Sequence, residues 1–517
     1  MKKLSIISTI SIMKKLSIMS IMFATLLLQT NCSSDFLNTA PSDAVDRDAL
    51  KAGYGSGRAL LVGVNRDRFM SDGNTHQFSF GERSATLILD YMGDDQYCLP
   101  STASYGGDWS QNRNLHCEMN NAVLTAQPWN KFYRLINTLN QLLNVIPEMV
   151  GVSEVQSNYL KAQGLAYRAH FYHMLVRTYA QAVHHSPNDL GIVLFTEEDI
   201  PVTGLPQGKA RATVKQTYDK IEADLLEAER LLALPGVNAL ATDITFIRLN
   251  VVRGLLSRVY LDLHNFAKAA QYANAARTAI PLMSKTQFGD GFFTTNAEWM
   301  WASFVPADEA NSYATFPAEM VNGAAANMYP AAWGFSNCIN TQLISATDAA
   351  NDCRIAGLLG DGTARTNAYC KYRAGLARPY DIVYMRGAEM LLNEAEALCM
   401  PGTQQNAAAA KVLLRTLVVN RINEAWAVAN VDPLTTPEDI LAGVKLQRRL
   451  EFWGEGIRFF DLKRRGEVLD RRTNGSTQST ILTPYITNPK SKFWVYLIPE
   501  REVRVNPIVE QNKYTSY

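Results

Sequence analysis

Apolar residues recur at three- and four-residue steps through most of this chain, the spacing that lines one face of an α-helix. Trp129, Phe132, Ile136, Leu139, Leu143 and Ile146 form one such stripe, and Pro147 ends it. Leu165, Ala169, Tyr172, Val176, Tyr179 and Val183 form a second, and a third runs from Val214 through Ile221, Leu225 and Ala228 to Leu232. Leu249, Val252, Leu256, Val259 and Leu263 stripe a helix whose partner carries Ala269, Ala273, Ala276 and Ile280. Within that pair Leu256, Ser257, Tyr260, Ala269, Ala273, Ala276 and Pro281 fit tetratricopeptide spacing, with small residues where two backbones approach closely. A second pair runs from Met385 to Cys399, crosses Pro401-Gly402 and returns over Asn406–Arg421. Three stretches resist this period: residues 66–127, rich in Gly, Ser, Asn and aromatics; 284–384, which read as irregular loops with a few short strands; and the Thr- and Asn-rich tail from about 472. The pattern predicts a mainly α fold, a tetratricopeptide-like helix-pair scaffold on one side with loop-rich insertions on the other.

Composition narrows the function classes. Lys and Arg total 50 against 49 Asp and Glu, a formal net charge of +1, so the basic excess that nucleic-acid binding leans on is missing. The 517 residues suffice for a large core. The start of the chain is of another kind: Met1-Lys-Lys-Leu-Ser-Ile recurs as Met13-Lys-Lys-Leu-Ser-Ile18, and either methionine can begin translation. Lys14 and Lys15 precede an apolar run from Leu16 to Leu28, followed by Gln-Thr-Asn-Cys32. A basic start and a short apolar core make a secretory signal over 1–31, too short to remain as a membrane span. Six cysteines follow Cys32, with no Cys-x-x-Cys, so neither zinc nor thioredoxin-like chemistry is signalled. In an exported protein Cys98 could pair with Cys117, or Cys353 with Cys370, and spacing does not choose.

The densest information lies at 447–466, Gln-Arg-Arg-Leu-Glu-Phe-Trp-Gly-Glu-Gly-Ile-Arg-Phe-Phe-Asp-Leu-Lys-Arg-Arg-Gly. Gln447, Glu451 and Glu455 are four apart, which predicts one shared helix face. Arg448, Arg458 and Asp461 flank that face beside Phe452, Trp453, Phe459 and Phe460. So many rings among so many charges predict part-buried ion pairs, which persist only when fully partnered. This stretch resembles the C-terminal signature of the SusD/RagB family, surface lipoproteins that deliver nutrients to outer-membrane transporters. The lead-in after Cys32, Ala388-Glu389, Ala395-Glu396-Ala397 and the ending Leu497-Ile-Pro-Glu500, Asn506-Pro507 and Gln511-Asn512 resemble the family as well. Where members commonly carry Glu before the arginine, this chain has Gln447, and Asn31 stands where a small residue usually precedes the lipidated cysteine.

The resemblance implies lipidation at Cys32, a place on the outer membrane, and a SusC-like TonB-dependent barrel as partner, over which the protein sits as a lid. It also implies a helix-pair region over 32–283, and over 284–517 a region holding ligand loops, a further helix pair and the terminal motif. Carbohydrates present C–H faces that lie on flat rings and hydroxyls that need fixed polar partners. Two loop stretches offer both: Asp94 through Tyr105 and Trp109 to Arg113, and Trp299 through Trp301 and Tyr313 to Tyr329 and Trp333. The candidate ligand-binding residues are Trp109, Tyr105, Trp333, Tyr329 and Trp301.

Catalysis is the weaker reading. Glu451 and Glu455 are carboxylates of the kind glycoside hydrolysis uses, but arginines on the same helix would keep both ionised. His170 and His173 have no evident third ligand, and Arg168 and Arg177 would repel a cation. No nucleophile elbow, phosphate loop or dinucleotide fingerprint is present. No catalytic residue, metal or cofactor is therefore assigned. The expected function is non-catalytic cell-surface binding of oligosaccharides and delivery to the barrel. A peptide-binding lid subunit and a surface glycoside hydrolase remain as alternatives.

Overall fold

In a computed structural model of the chain, the structure describes residues 47–70, 81–98, 123–201, 207–309, 316, 320, 337–355, 371–372, 380–472 and 485–513. All of them belong to one compact unit that begins at Arg47. The predicted signal peptide and Cys32 lie outside the described residues.

The principal helices are α1 (Tyr54–Asp67), α2 (Glu82–Met92), α3 (Val123–Val145), α4 (Glu154–Tyr179), α5 (Val214–Leu232), α6 (Leu249–Asp262), α7 (Phe266–Arg277), α8 (Gly387–Cys399), α9 (Ala407–Arg421), α10 (Pro437–Glu451) and α11 (Arg458–Arg465). From α3 to α9 each packs on the next, as stacked helix pairs do. Local chemistry fixes where several begin. Ser153 and Gln156 close a capping box at the start of α4, and Thr213 with Gln216 does the same for α5. Between α6 and α8, α7 offers Ala269, Ala273 and Ala276, all fully buried, and Ser257 on α6 donates a hydrogen bond to the Ala269 carbonyl at 3.2 Å. A Cβ on Gly164 would stand 2.9 Å from Leu143, so α4 crosses α3 where only glycine fits comfortably. The stack α8–α9 closes on a core of Leu391, Leu392, Ala395, Leu414, Leu417 and Val418.

The structure departs from the sequence reading in three places. Residues 66–127 are not all loop, since α2 lies within them with all its residues buried. Glu82, Arg83, Ser84, Thr86 and Asp90 interrupt its apolar period, yet they are as buried as Leu87 and Ile88. Met385 does not open a helix; it sits in strand β6 (Tyr380–Arg386), antiparallel to β4 (Trp299–Val305), and α8 starts at Gly387. The stretch 447–466 is not one helix but a helix–turn–helix, α10 ending at Glu451 and α11 starting at Arg458. Gly454 and Gly456 turn the chain at φ 72° and 78°, a region that side chains disfavour. A Cβ on Gly454 would lie 2.6 Å from Met320 and 3.0 Å from Tyr372. Glu455 therefore occupies the turn.

Among the described residues there are also four two-stranded antiparallel ladders: β1 (Gln96–Cys98) with β5 (Asn337–Ile339), β2 (Leu190–Val193) with β3 (Arg211–Thr213), β4 with β6, and β7 (Leu469–Asp470) with β8 (Tyr485–Ile486).

Candidate functional site

Glu451 and Glu455 do meet, though from a helix end and a turn. Glu451, 0% exposed, accepts from Arg386 at 2.6 Å, from Arg421 at 2.8 Å and from Arg354 at 3.4 Å. Glu455 accepts from two nitrogens of Arg386, at 3.0 and 2.7 Å, and from Lys371. Glu298 binds the same two arginines, Arg386 at 2.8 Å and Arg421 at 3.0 Å. Gln447 accepts from Arg354 at 2.7 Å, so a neutral hydrogen bond stands where the family resemblance implies an acid, and Asp352 supplies Arg354 with its carboxylate at 2.8 Å. Burial alone would push both glutamates up, but the guanidiniums around Glu451 hold it far below the usual carboxylate range, and Arg386 with Lys371 hold Glu455 down at about 2. A carboxylate locked ionised and sealed from solvent has no proton to give a substrate. This web is a fastener between α10, the turn, β4, β6 and α9.

The same helix–turn–helix reaches the roots of the candidate ligand loops. Arg458 grips Asp94 through two bonds, at 2.7 and 2.9 Å, and Arg449 donates to Asp95 at 2.8 Å. Burial raises the Asp94 carboxyl, but Arg458 and Arg449 override it and hold the group below its ordinary value. The Trp453 indole N–H donates to the Asp95 carbonyl at 3.1 Å. Asn340 ties across with its side chain to the Asp94 carbonyl at 3.0 Å and its backbone N–H to the Asp95 carbonyl at 2.9 Å. Directly beyond, β1 and β5 pair Gln96 with Ile339, Tyr97 with Cys338 and Cys98 with Asn337. The first candidate stretch leaves this ladder at Cys98, and the second re-enters it at Asn337. One end of each stretch is thus held on this ladder, which is bolted to α10 and α11. Asp94 and Asp95 are buried clamps rather than ligand-facing groups.

Trp109, Tyr105, Trp333 and Tyr329 lie outside the described residues. Trp301 is a correction. It was expected on an open ligand face, yet it is 0% exposed. Arg68 lies 3.9 Å from its ring centroid, His170, Tyr384 and Tyr167 crowd it further, and its indole N–H donates to the Thr245 carbonyl at 3.2 Å. The physical reason is that β4 is covered on both faces. The unbroken run Trp-Met-Trp-Ala at 299–302 carried that signal, since a half-exposed strand would alternate.

Other chemistry-bearing residues are engaged structurally. His170 is 2.8 Å from Glu82 and His173 is 2.7 Å from Asp262. Burial lowers both imidazoles, His173 to about 4, which leaves them neutral near pH 7. Among the described residues no group of three His, Cys, Asp or Glu could hold a metal, and no helix is long and apolar enough to cross a membrane. Cys353 and Cys399 are free thiols, while Cys117 and Cys370 lie outside the described residues.

One buried acid is strained electrostatically. Burial pushes the Asp90 carboxyl up to about 7, although it accepts from the Gly456 N–H at 2.7 Å. A carboxyl raised above its unfolded value favours the fold when protonated, so stability falls as pH rises from about 4 to 7. Asp90→Asn keeps an acceptor for Gly456 and removes that loss. Denaturant titrations should find the variant more stable than wild type by roughly 1–3 kcal/mol at pH 8, and the two nearly equal at pH 4.

A family model described as "Starch-binding associating with outer membrane" matches residues 93–261, and a SusD family model matches residues 364–514. A SusD-like protein of Formosa agariphila is 25% identical over 451 residues, 73% of this chain and 80% of that protein. Among solved structures, a SusD-like carbohydrate binding protein from Bacteroides vulgatus aligns with a TM-score of 0.74 at 22% identity, covering 90% of this chain and 99% of that one. A SusD superfamily protein from Bacteroides fragilis aligns at 0.72 with 20% identity, covering 89% and 99%. At those identities the structural matches establish a common fold. The first match runs from just before the Asp94–Asp95 clamp into α6, and the second takes in Lys371, Arg386, Arg421, Glu451 and Glu455 of the charge web and the helix–turn–helix. With both halves of the architecture matched, this chain is a member of the SusD/RagB family.

Proposed function

We propose that this protein is a non-catalytic binding subunit of the outer membrane, lipid-anchored through Cys32, that captures oligosaccharides and passes them to a SusC-like TonB-dependent barrel. The observation that supports this reading is the shared ladder of β1 and β5, which holds one end of each ring-bearing stretch. The family description of starch binding and outer-membrane association supports it, as does a structural relative described as carbohydrate binding. Trp109, Tyr105, Trp333 and Tyr329 are the proposed contacts, their rings stacking on sugar faces. A diacylglycerol together with an N-acyl chain exceeds what stable anchoring needs.

Isothermal titration against pooled oligosaccharides and pooled peptides tests the ligand class. Heat from oligosaccharides supports the proposal, and heat from peptides alone replaces it with a peptide-binding lid. Trp109→Ala and Trp333→Ala should each weaken glycan binding roughly tenfold, in line with about 1–3 kcal/mol for a buried ring contact, with unchanged melting temperature. If neither moves the affinity, the ligand sits elsewhere. Glu451, the acid a hydrolase reading would use, is inaccessible; release of reducing ends by the purified protein would overturn the non-catalytic assignment.

A further inference from the structure

A partly open cavity of about 60 Å³ lies between α2, α4, α6, α8 and the helix–turn–helix, walled mostly by charged side chains. Nearly every one of those charges is matched. Arg258 pairs with Glu389 at 2.6 Å, Arg448 and Arg464 share Asp461 at 2.9 and 2.8 Å, and Arg177 stands 3.4 Å from Asp262. Glu82 is taken by Arg68 at 2.7 Å, and Glu455 by Arg386 at 2.7 Å.

Arg83 is the exception. It lines the cavity at 4% exposure, and among the described residues no carboxylate lies within ion-pair distance of it. One nitrogen donates to the Glu455 carbonyl at 2.9 Å, and the guanidinium lies 4.8 Å from the Phe316 ring centroid. Its Nε and Nη2 are buried and find no hydrogen-bond partner among the described residues. Asp90, the nearby acid, accepts from the Gly456 N–H and feels the charge of Arg83, yet takes no hydrogen bond from it, so the two guanidinium nitrogens stay open. A guanidinium does not shed its proton in a protein. An unpaired buried cation is costly unless a counter-charge sits beside it.

We propose that this cavity is a site for one small monovalent anion of halide size, bound by the two unpartnered nitrogens of Arg83. The volume holds roughly four waters, or a halide with waters around it. The neighbouring carboxylates are already neutralised by their own arginines, so they do not repel the ion. Bound there, the anion fastens α2 to the turn at 454–456, next to the clamp that carries the candidate ligand loops.

The test uses bromide as the probe. Crystals of the protein soaked in sodium bromide should show an anomalous peak within hydrogen-bonding reach of Arg83 Nε and Nη2. The melting temperature in sodium bromide or chloride should exceed that in sodium gluconate at equal ionic strength, rising on the order of 1 °C per tenfold halide. Arg83→Gln should lose that increment while keeping the fold. Should the variant fail to fold, the soaked wild-type crystals and its melting series decide alone. Water-only density in the cavity, with equal melting in bromide and gluconate, overturns the proposal.

Discussion

Glu451→Gln should destabilise the protein by roughly 3–5 kcal/mol, the range for breaking a buried ion pair by removing one partner. Glu451 is the common acceptor of Arg354, Arg386 and Arg421, all fully buried with it. A glutamine keeps the shape but offers one oxygen and no charge, and its NH₂ points donors at donors. Glu298 and Asp352 would then face three guanidiniums with one carboxylate fewer. Chemical denaturation with unchanged m-value checks this, with Glu424→Gln as the comparison, since that acid pairs with Arg415 at the surface and should give no measurable change. A loss for Glu451→Gln no larger than for Glu424→Gln would mean that the web contributes nothing as a unit.

The second large effect concerns the loop roots. Asp94→Asn with Asp95→Asn removes the carboxylates that Arg458 and Arg449 grip, at a cost of roughly 2–4 kcal/mol because both acids are buried. Much of that loss should be local. The β1–β5 ladder is only three residues long on each side, so little else holds its register. Amide exchange at 96–98 and 337–340 should accelerate well beyond that of α4, and glycan affinity should fall with it although both acids are buried. Unchanged exchange in the ladder of the double variant would show that it stands without the clamp.

These two effects separate what was legible in the chain from what was not. Helix pairs were readable because a helix buries residues three and four apart, and Ala269, Ala273 and Ala276 advertise a close crossing by their size alone. The capping boxes at Ser153 and Thr213 are local for the same reason. The charged stretch at 447–466 announced buried ion pairs by composition. It did not announce that Gly454 and Gly456 break it into two helices at positive φ, where Met320, Tyr372 and Thr86 from other parts of the chain leave no room for a Cβ. Helix α2 was missed since its polar positions are buried as deeply as its apolar ones, and Trp301 was misplaced because an aromatic count says nothing about what covers the ring.

By itself, then, the sequence determined the helical period, the close-packed repeat pairs, the family motif and the demand that its charges find partners. Which partners they found was decided only in three dimensions: Asp94 and Asp95 for Arg458 and Arg449, Glu298 for Arg386 and Arg421, β5 for β1. These ion pairs and the ladder register join residues 88 to 364 positions apart, and a contact of that kind leaves no periodic trace along the chain.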